Sequence, residues 1–379
     1  MRKKSPVPFP RIIVDLEKIT RNAAAVIKRC SAKGVSVYPV IKALAGFAPA
    51  IGAVMAASPA GILDSSFAGL EAAVEFSRSP EFRGNRHVPK TGIIRLPAVS
   101  EMRAIDRPPS VDYYFISEYA HIDVLLSRMK KFSAVIMVDT GDLREGVPLC
   151  ELDGFVSGAA RKKGLNIAGL ATNHACFSGI VPTVSNLEQF AEKAVAVQKK
   201  HGLDFEIVSG GNSSLLGLIL EGRTHRAINN VRIGEAILLG TDVISKNRIK
   251  WLHDDAFCVE AEVVEVRTRE AACSGTRTQN AFGETVPIYA GRLRGGSARL
   301  QVLFNLGKRH FFVNGVKPLE KGLFVVGASS DYLIVDASEY PKKLECGSRV
   351  RFGLDYPALM SAMQVAGHNV AIEPSGSGR

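Results

Sequence analysis

Short apolar runs rich in β-branched residues alternate with segments of helical spacing over the first two-thirds of the chain. This alternation is typical of repeated βα units, which build a parallel sheet. An opening strand at Ile12–Val14 precedes a helix from Leu16 to about Cys30, which Asp15 is placed to cap. Eight further strands are predicted at Val37–Ile41, Gly61–Ser65, Gly92–Leu96, Tyr113–Ile116, Ala134–Asp139, Ile167–Asn173, Phe205–Ser209 and Asn230–Ile233.

These eight strands, with helices between them, close most naturally into a (β/α)8 barrel of the TIM type. An open, doubly wound sheet is the competing α/β architecture, and the number of strands favours the barrel.

After Gly240 the pattern changes to apolar runs separated by Gly, Pro and charged turns, with little helical periodicity. We therefore predict three parts: a barrel over residues 10–240, a C-terminal mostly-β domain over 241–370 to which the N-terminal strand can add, and a flexible tail over 371–379. The strands of the second domain are predicted at Ala256–Val266, Ala298–Phe304, His310–Val313, Leu323–Val326, Tyr332–Val335 and Arg349–Leu354.

The net charge of +11 changes this picture little, because the Lys and Arg residues are scattered and no basic motif is interleaved with aromatic residues. Nucleic-acid binding is therefore not expected. The six cysteines show neither a CxxC pair nor the spacing of metal ligands, so no metal site is expected. No apolar stretch follows the basic start, and no run approaches the ~18 apolar residues of a membrane span. We expect a cytoplasmic protein with free thiols.

Polar residues collect where five of the predicted barrel strands end. Active sites of such barrels lie at the carboxyl ends of the strands, and phosphate is often held after strands seven and eight. Taken singly, a strand-end lysine is usually a solvated terminus and a glycine-rich loop is a weak signal. Together they predict a ligand site, because successive N–H groups in a glycine-rich turn form a nest for an anion. The clusters are Lys42, Asp139–Gly146, Asn173–Cys176, Ser209–Ser214 and Arg232–Glu235.

Four stretches resemble the alanine-racemase-like, fold-type III enzymes of pyridoxal phosphate (PLP), and most closely the group that includes ornithine racemases. They are Met137–Gly146 (MVDTGDLREG), Ile207–Leu215 (IVSGGNSSL), Val231–Gly240 (VRIGEAILLG) and Val326–Asp336 (VGASSDYLIVD). The resemblance runs from about Pro10 to Met363. It implies a homodimer in which the C-terminal domain of one subunit completes the site of the other, with the segment around Ala328–Asp331 as the partner's contribution.

The resemblance also implies roles for single residues. Lys42 would form an aldimine with PLP, Arg232 would face the pyridine nitrogen, and Arg144 would approach the ring oxygen or the substrate carboxylate. Asn173 lies where alanine racemases have a histidine that supports this arginine. Ser213 and the backbone at residues 234 and 235 would bind the phosphate. The implied cofactor-binding residues are Lys42, Asn173, Asn212, Ser213, Arg232, Gly234, Glu235 and Tyr356.

These roles favour racemisation. The aldimine acidifies the α-proton by delocalising the carbanion into the cofactor. A lysine whose pKa is lowered by desolvation or nearby cations is a good base for that proton. An arginine stays protonated and cannot hand a proton to the pyridine nitrogen, so the ring is a weaker electron sink. The short-lived carbanion then favours simple reprotonation over transamination.

Three departures from alanine racemases leave the second acid or base open. Met137 stands where they carry a lysine, and Gly46 replaces a tyrosine that follows the catalytic lysine. The tyrosine that serves as their second base has no clear counterpart. The candidates for this role are Cys176, Lys308, Asp331 and Tyr356, and a small buried hydrophobe is the competing interpretation of Cys176.

Gly46 and the acidic pair Asp142 and Glu145 indicate room for a longer substrate with a terminal ammonium, although a solvated loop explains both carboxylates equally well. Ornithine or another basic amino acid is therefore favoured, with alanine as a further possibility. Two alternatives stay open: a PLP-dependent D-amino-acid aldolase or dehydratase, whose relatives use a metal, and a non-catalytic PLP-binding homeostasis protein. Such homeostasis proteins lack a C-terminal β domain, so the β domain predicted here argues against that alternative. The sequence does not select the substrate or the metabolic direction.

Overall fold

The computed structural model describes residues 9–80, 82, 88–104, 111–270, 276, 278–285, 298–365 and 369–373. The chain divides into two compact units, one formed by Leu16–Asp254 and the other by Met1–Asp15 together with Asp255–Arg379. Within the described ranges, no helix is both long and apolar enough to cross a membrane.

The unit Leu16–Asp254 is a barrel of parallel strands, as the alternation of apolar runs and helices predicts. Its sheet order is β2-β10-β9-β8-β6-β5-β4-β3, and a short strand β7 (Val147–Pro148) pairs with β6 at the side. A parallel bridge between Val40 and Leu63 and a hydrogen bond from Ile41 N–H to Leu63 O (2.8 Å) join the two ends of this sheet. The strands are β2 (Ser36–Pro39), β3 (Gly61–Asp64), β4 (Lys90–Ile93), β5 (Tyr113–Ile116), β6 (Phe132–Asp139), β8 (Leu165–Ala171), β9 (Ile207–Ser209) and β10 (Asn230–Ile233).

Helices connect these strands, and α3 (Phe67–Arg78) and α7 (Val184–His201) each begin at a side-chain cap. Ser66 Oγ accepts the N–H of Gly69 at the start of α3, and Thr183 Oγ1 accepts that of Asn186 at the start of α7. The left-handed Gly202 (φ +62°) ends α7. The helices are α1 (Leu16–Ser31), α2 (Ala48–Met55), α3 (Phe67–Arg78), α4 (Val99–Ala104), α5 (Tyr119–Arg128), α6 (Leu152–Ala160), α7 (Val184–His201), α8 (Leu216–Leu220) and α9 (Glu235–Leu239).

The barrel interior is filled by side chains. A buried cluster draws its members from the barrel strands β2, β3, β5, β6, β8 and β9, as expected for side chains that point inward. Val135 and Met137 of β6 belong to it, as does Tyr38 of β2, and partly buried Val40 packs against it. Lys42 and Asp139 continue these two alternations above the cluster. The members are Tyr38, Leu63, Tyr113, Phe115, Val135, Met137, Ala168, Ala171 and Ile207.

The barrel unit ends after Asp254, whereas the sequence predicts its end at Gly240. The segment between them is held by buried Asn22 of α1, whose Nδ2 donates to the carbonyl oxygens of Ile237 (3.0 Å) and His253 (2.8 Å). Asn22 Oδ1 accepts the N–H of His253 (2.8 Å). At Gly240 (φ +61°) a Cβ would lie 2.2 Å from His253 O, so the close approach requires glycine. The composition changes at Gly240, but these contacts keep the segment on the barrel.

The second unit is a mostly antiparallel sheet of order β13-β16-β11-β12-β15-β14. The N-terminal strand β1 (Arg11–Val14) pairs with β11 and with β17 in this same sheet. The other strands are β11 (Phe257–Glu270), β12 (Ala298–Phe304), β13 (Val316–Pro318), β14 (Phe324–Ala328), β15 (Leu333–Asp336), β16 (Arg349–Leu354) and β17 (Val370–Ile372). The predicted order of a barrel followed by a mostly-β domain is confirmed.

This unit differs from the prediction in several details, and its strands β13 and β17 were not predicted. Residues 310–313 are not a strand: His310 N–H donates to Gly307 O (3.0 Å) in a tight turn, and a 3-10 turn follows at Val313–Gly315. A helix, α10 (Tyr356–Val365), was not predicted although its buried residues Ala358, Leu359, Ala362 and Met363 have helical spacing. Phe312 N–H donates to Ser361 Oγ of this helix (3.0 Å), so the turn is stabilised by tertiary contact.

The predicted tail begins later than expected. Strand β17 includes the first two residues of the range 371–379, and Glu373 accepts a hydrogen bond from Arg351 (2.9 Å). Residues 374–379 lie outside the described residues.

Candidate active site

The segments predicted to bear the chemistry follow β2, β6, β8, β9 and β10. These strands are parallel neighbours in one closed barrel, so their carboxyl ends lie at the same end of it. The structure therefore brings Lys42, Arg144, Asn173, Cys176, Asn212, Ser213, Arg232, Gly234 and Glu235 to one face of the barrel.

Lys42 follows the bridge residue Val40 and opens a 3-10 turn, Lys42–Leu44, that ends at left-handed Ala45 (φ +48°). Its neighbours Ile41 and Ala43 are buried, and Lys42 itself is partly buried. The short turn after β2 therefore places the Lys42 amine at the carboxyl end of the barrel strands.

The turn after β9 is shaped by glycine and by one asparagine side chain. Gly211 has φ +144°, and a Cβ there would lie 3.1 Å from Leu215 and 3.4 Å from His174 Nδ1. Asn212 Oδ1 accepts the N–H of Ser214 (2.8 Å), which fixes the start of the turn Ser213–Leu215. Ser213 is buried against this turn. The arrangement suits an anion, because backbone N–H groups and a hydroxyl are close together.

Arg232 is a buried cation at the end of β10, with 5% of its surface exposed. Its Nη1 donates to Ser209 Oγ (2.7 Å) and its Nη2 to Thr172 O (2.6 Å), so both acceptors are neutral. Burial and the charge of Arg144 lower the pKa of Arg232 to about 10. At neutral pH the guanidinium thus stays charged and is held in one orientation.

Arg144 and Cys176 face each other across the ends of β6 and β8. The Arg144 guanidinium forms a two-pronged ion pair with Glu145, and its Nη1 donates to Cys176 Sγ (2.6 Å). The bond with Glu145, opposed by burial, raises the pKa of Arg144. Cys176 is exposed, so its interpretation as a small buried hydrophobe is wrong.

Asp142 is not available to a substrate ammonium. Only 2% of it is exposed, and its carboxylate accepts hydrogen bonds from Asn173 Nδ2 (2.9 Å) and from the N–H groups of Cys176 and Phe177 (3.0 Å each). The hypothesis that Asp142 recognises a basic side chain is therefore wrong, and Glu145 is engaged by the arginine next to it.

His174 is a site residue that sequence reasoning missed. It is fully buried after β8, and its Nε2 lies 3.2 Å from Thr140 Oγ1, which in turn lies 2.6 Å from Thr172 Oγ1. Burial and the charge of Arg232 outweigh nearby carboxylates and lower the pKa of His174 to about 4. The sequence signal for His174 is its position beside Asn173 in a cluster at a strand end, but only the fold shows that its side chain is buried.

This low pKa predicts acid sensitivity. The folded state binds the His174 proton less tightly than the unfolded state, whose pKa is near the ordinary 6.5. Stability from neutral His174 is present above about pH 6.5 and is lost as the pH falls towards 4, by at most about 3 kcal/mol. Urea unfolding across this range should show a weaker pH dependence in His174→Gln than in the wild type. His225→Gln, at a partly exposed histidine of the same unit, serves as control, and equal slopes for all three would contradict the assignment.

The remaining candidates belong to the second unit. Asp331 follows β14 and pairs with Arg309 Nε (2.9 Å), and Tyr356 begins α10. The Lys308 ammonium pairs with Glu284 and lies 4.1 Å above the centre of the Phe282 ring. Asp331 and Lys308 are therefore held by contacts within that unit.

Comparisons with known proteins place the chain in a family. Residues 14–242 match the model of the alanine racemase N-terminal domain. Lysine racemase of Thermotoga maritima is 32% identical over 97% of this chain and 99% of its own length. Ornithine racemase of Acetoanaerobium sticklandii is 27% identical over 93% and 96%.

Two solved structures have the same fold. D-threonine aldolase from Filomicrobium marinum matches with a TM-score of 0.68 at 14% identity, over 97% of this chain and 93% of its own. Alanine racemase from Bartonella henselae with covalently bound PLP matches with a TM-score of 0.63 at 18% identity, over 97% and 100%. At these identities the likeness shows the fold alone. The family follows from the sequence match: this chain belongs to the family defined by the alanine racemase N-terminal domain.

Proposed function

We propose that this protein is a PLP-dependent racemase of a free basic amino acid, with lysine and ornithine as the first substrates to test. The observation that carries the proposal is that Lys42, the buried cation of Arg232 and the glycine-rich turn before Ser213 lie at one end of a barrel of this family. The two relatives named lysine racemase and ornithine racemase, matched over nearly their whole lengths, support both the reaction and the substrate class.

The residues at this end of the barrel fit PLP. The turn at Gly211 offers N–H groups to a phosphate. A Cβ at Gly234 would lie 3.1 Å from Val40 O, so the backbone after β10 passes beside the segment that carries Lys42. We assign cofactor binding to Lys42, Asn173, Asn212, Ser213, Arg232, Gly234, Glu235 and, from the second unit, Tyr356.

Bound PLP withdraws electrons from the α-carbon of an attached amino acid and so acidifies its α-proton. Lys42 holds the cofactor, and its amine accepts and returns the α-proton on one face. Arg232 keeps its charge at neutral pH and would not hand a proton to the pyridine nitrogen. The cofactor would then be a weaker electron sink, which favours return of the proton to the α-carbon. Arg144 orients the substrate carboxylate as a charged donor.

A second group must exchange the proton on the opposite face. We assign this role to Cys176, because it is exposed and its Sγ receives a hydrogen bond from the Arg144 guanidinium. Asp331 of a partner subunit is the competing group.

We also propose that the protein works as a homodimer in which Asp331 of one subunit completes the site of the other. Lys42→Ala and Asp331→Ala subunits, each inactive alone, are then expected to recover part of the wild-type activity when refolded together, because one site of the mixed dimer carries neither substitution. A different affinity tag on each variant allows the mixed dimer to be purified on both tags in turn, which verifies that it forms. A monomeric wild type, or no recovery in a verified mixed dimer, would sink the shared-site model.

The function is tested by α-proton exchange in D2O, followed by NMR, on L- and D-amino acids with added PLP. Exchange of lysine or ornithine with appearance of the enantiomer supports the proposal, and preferential turnover of alanine would correct the substrate class. Cleavage or dehydration of 3-hydroxy amino acids without racemisation would favour an aldolase or dehydratase. PLP binding without any exchange would favour the non-catalytic alternative. The cytoplasmic location and the lack of nucleic-acid binding stay predictions from the sequence.

A further inference from the structure

Asp142 is a buried charge that the proposed chemistry does not use. Its Oδ1 accepts the N–H groups of Cys176 and Phe177, and its Oδ2 accepts Asn173 Nδ2. Burial raises the pKa of Asp142, but the N–H of Phe177, the amide of Asn173 and the N–H of Cys176 outweigh it and the pKa lies below the ordinary value. The carboxylate is therefore ionised at neutral pH and acts only as an acceptor.

Because the Asp142 carboxylate can only accept hydrogen bonds, it determines how the side-chain amides of Asn173 and Asn212 are oriented. Asn173 must turn its NH2 towards Asp142, which leaves its Oδ1 to accept from Asn212 Nδ2 (3.0 Å). Asn212 Nδ2 also donates to His174 O (2.7 Å), so the Asn212 Oδ1 faces the N–H of Ser214 (2.8 Å). Each orientation follows from the previous one, and the series links the ends of β6, β8 and β9.

We propose that Asp142 is a positioning residue that sets, through Asn173 and Asn212, the geometry of the turn Gly210–Ser214. The series of hydrogen bonds stands on the contacts themselves, and its role in holding a phosphate rests on the proposed function. The same carboxylate fixes the backbone of Cys176, so one buried charge orders two sides of the site.

The consequence of replacing Asp142 by asparagine follows from this directionality. The new side chain must keep its oxygen towards the N–H groups of Cys176 and Phe177, so its NH2 meets the NH2 of Asn173. If the Asn173 amide rotates by 180°, its NH2 faces the NH2 of Asn212. If the Asn212 amide then rotates as well, its NH2 faces the N–H of Ser214. A mismatch of donors therefore remains wherever the amides settle, although the substitution is nearly isosteric.

The experiment compares wild type and Asp142→Asn by two readouts. Hydrogen exchange of the backbone amides of residues 210–216, measured on protein without PLP, should become faster because the mismatch weakens the series of hydrogen bonds that ends at the Ser214 N–H. Titrations with PLP and with pyridoxal, which lacks the phosphate, report binding by absorbance. The dissociation constant for PLP should rise roughly 10- to 100-fold and that for pyridoxal by less than about threefold.

A double variant gives the sharpest control. Asp142→Asn combined with Asn173→Asp restores every donor–acceptor pair, since the new carboxylate accepts from both residue 142 and Asn212. It should regain the wild-type hydrogen exchange of residues 210–216, while Asp123→Asn, at an exposed surface position, should change neither exchange nor PLP affinity. Unchanged exchange and affinity in Asp142→Asn, or no recovery in a folded double variant, would overturn the proposal. If the wild type does not bind PLP, the proposed function fails, and the exchange comparison still decides whether Asp142 orders the turn.

Discussion

Replacing Lys42 with alanine is expected to reduce racemisation by roughly 10⁴-fold or more, because the substitution removes both the attachment of the cofactor and the proton carrier on one face. The variant should also lose covalent capture: borohydride reduction of the wild type with PLP should leave a mass increase on the peptide containing Lys42, and none on the variant. Mass spectrometry of the reduced protein and the NMR exchange assay measure the two effects independently.

The matched control is Lys33→Ala, at an exposed lysine of the same unit. It should keep both activity and labelling at Lys42. Labelling at a different lysine in the wild type would refute the assignment of Lys42, even if racemisation itself were observed.

Replacing Arg232 with glutamate is expected to change the outcome of the reaction as well as its rate. If Arg232 faces the pyridine nitrogen of bound PLP, a carboxylate at this position would stabilise a proton on that nitrogen, whereas the native guanidinium would oppose it. The ratio of transamination to racemisation should therefore rise by about tenfold or more, which corresponds to ~1.4 kcal/mol of altered stabilisation. Keto-acid formation and enantiomer formation are measured on the same reaction.

Arg232→Gln separates the effect of the added negative charge from the effect of losing the guanidinium. It also loses the donors to Ser209 and Thr172, but it adds no negative charge. It should lose racemisation with a smaller change in the ratio, and circular dichroism shows whether each variant is folded. An unchanged ratio in a folded, PLP-binding Arg232→Glu would mean that this arginine does not face the pyridine nitrogen.

The barrel was predictable because its strands are buried on both faces and therefore appear as continuous apolar runs. All eight predicted ranges overlap the observed strands β2 to β6 and β8 to β10. The positions of the polar clusters were predictable for the same reason, since residues that follow a buried run lie at the end of a barrel strand. Lys42 follows such a run, whereas Arg232 lies within β10.

The second unit was predicted less well because its local patterns are ambiguous. Phe311, Phe312 and Val313 form a short apolar run as in a strand, yet tertiary contact with α10 holds them in a turn. In α10 itself small and apolar residues hide the helical period. The end of the barrel unit depends on three hydrogen bonds of Asn22 to residues more than 200 positions away, which no local pattern reveals.

The sequence by itself determined the order of the elements, the closed barrel and the strand ends where polar residues gather, because periodic burial and strand-end position are local properties. Only the tertiary structure decided what each polar residue there can do. Asp142 and Glu145 look alike in the sequence, but one is enclosed by three donors and the other faces an arginine. His174 and Cys176 are two residues apart, and one is fully buried while the other is exposed. Charge, protonation and accessibility depend on neighbours that are distant in the chain and meet only when the barrel closes.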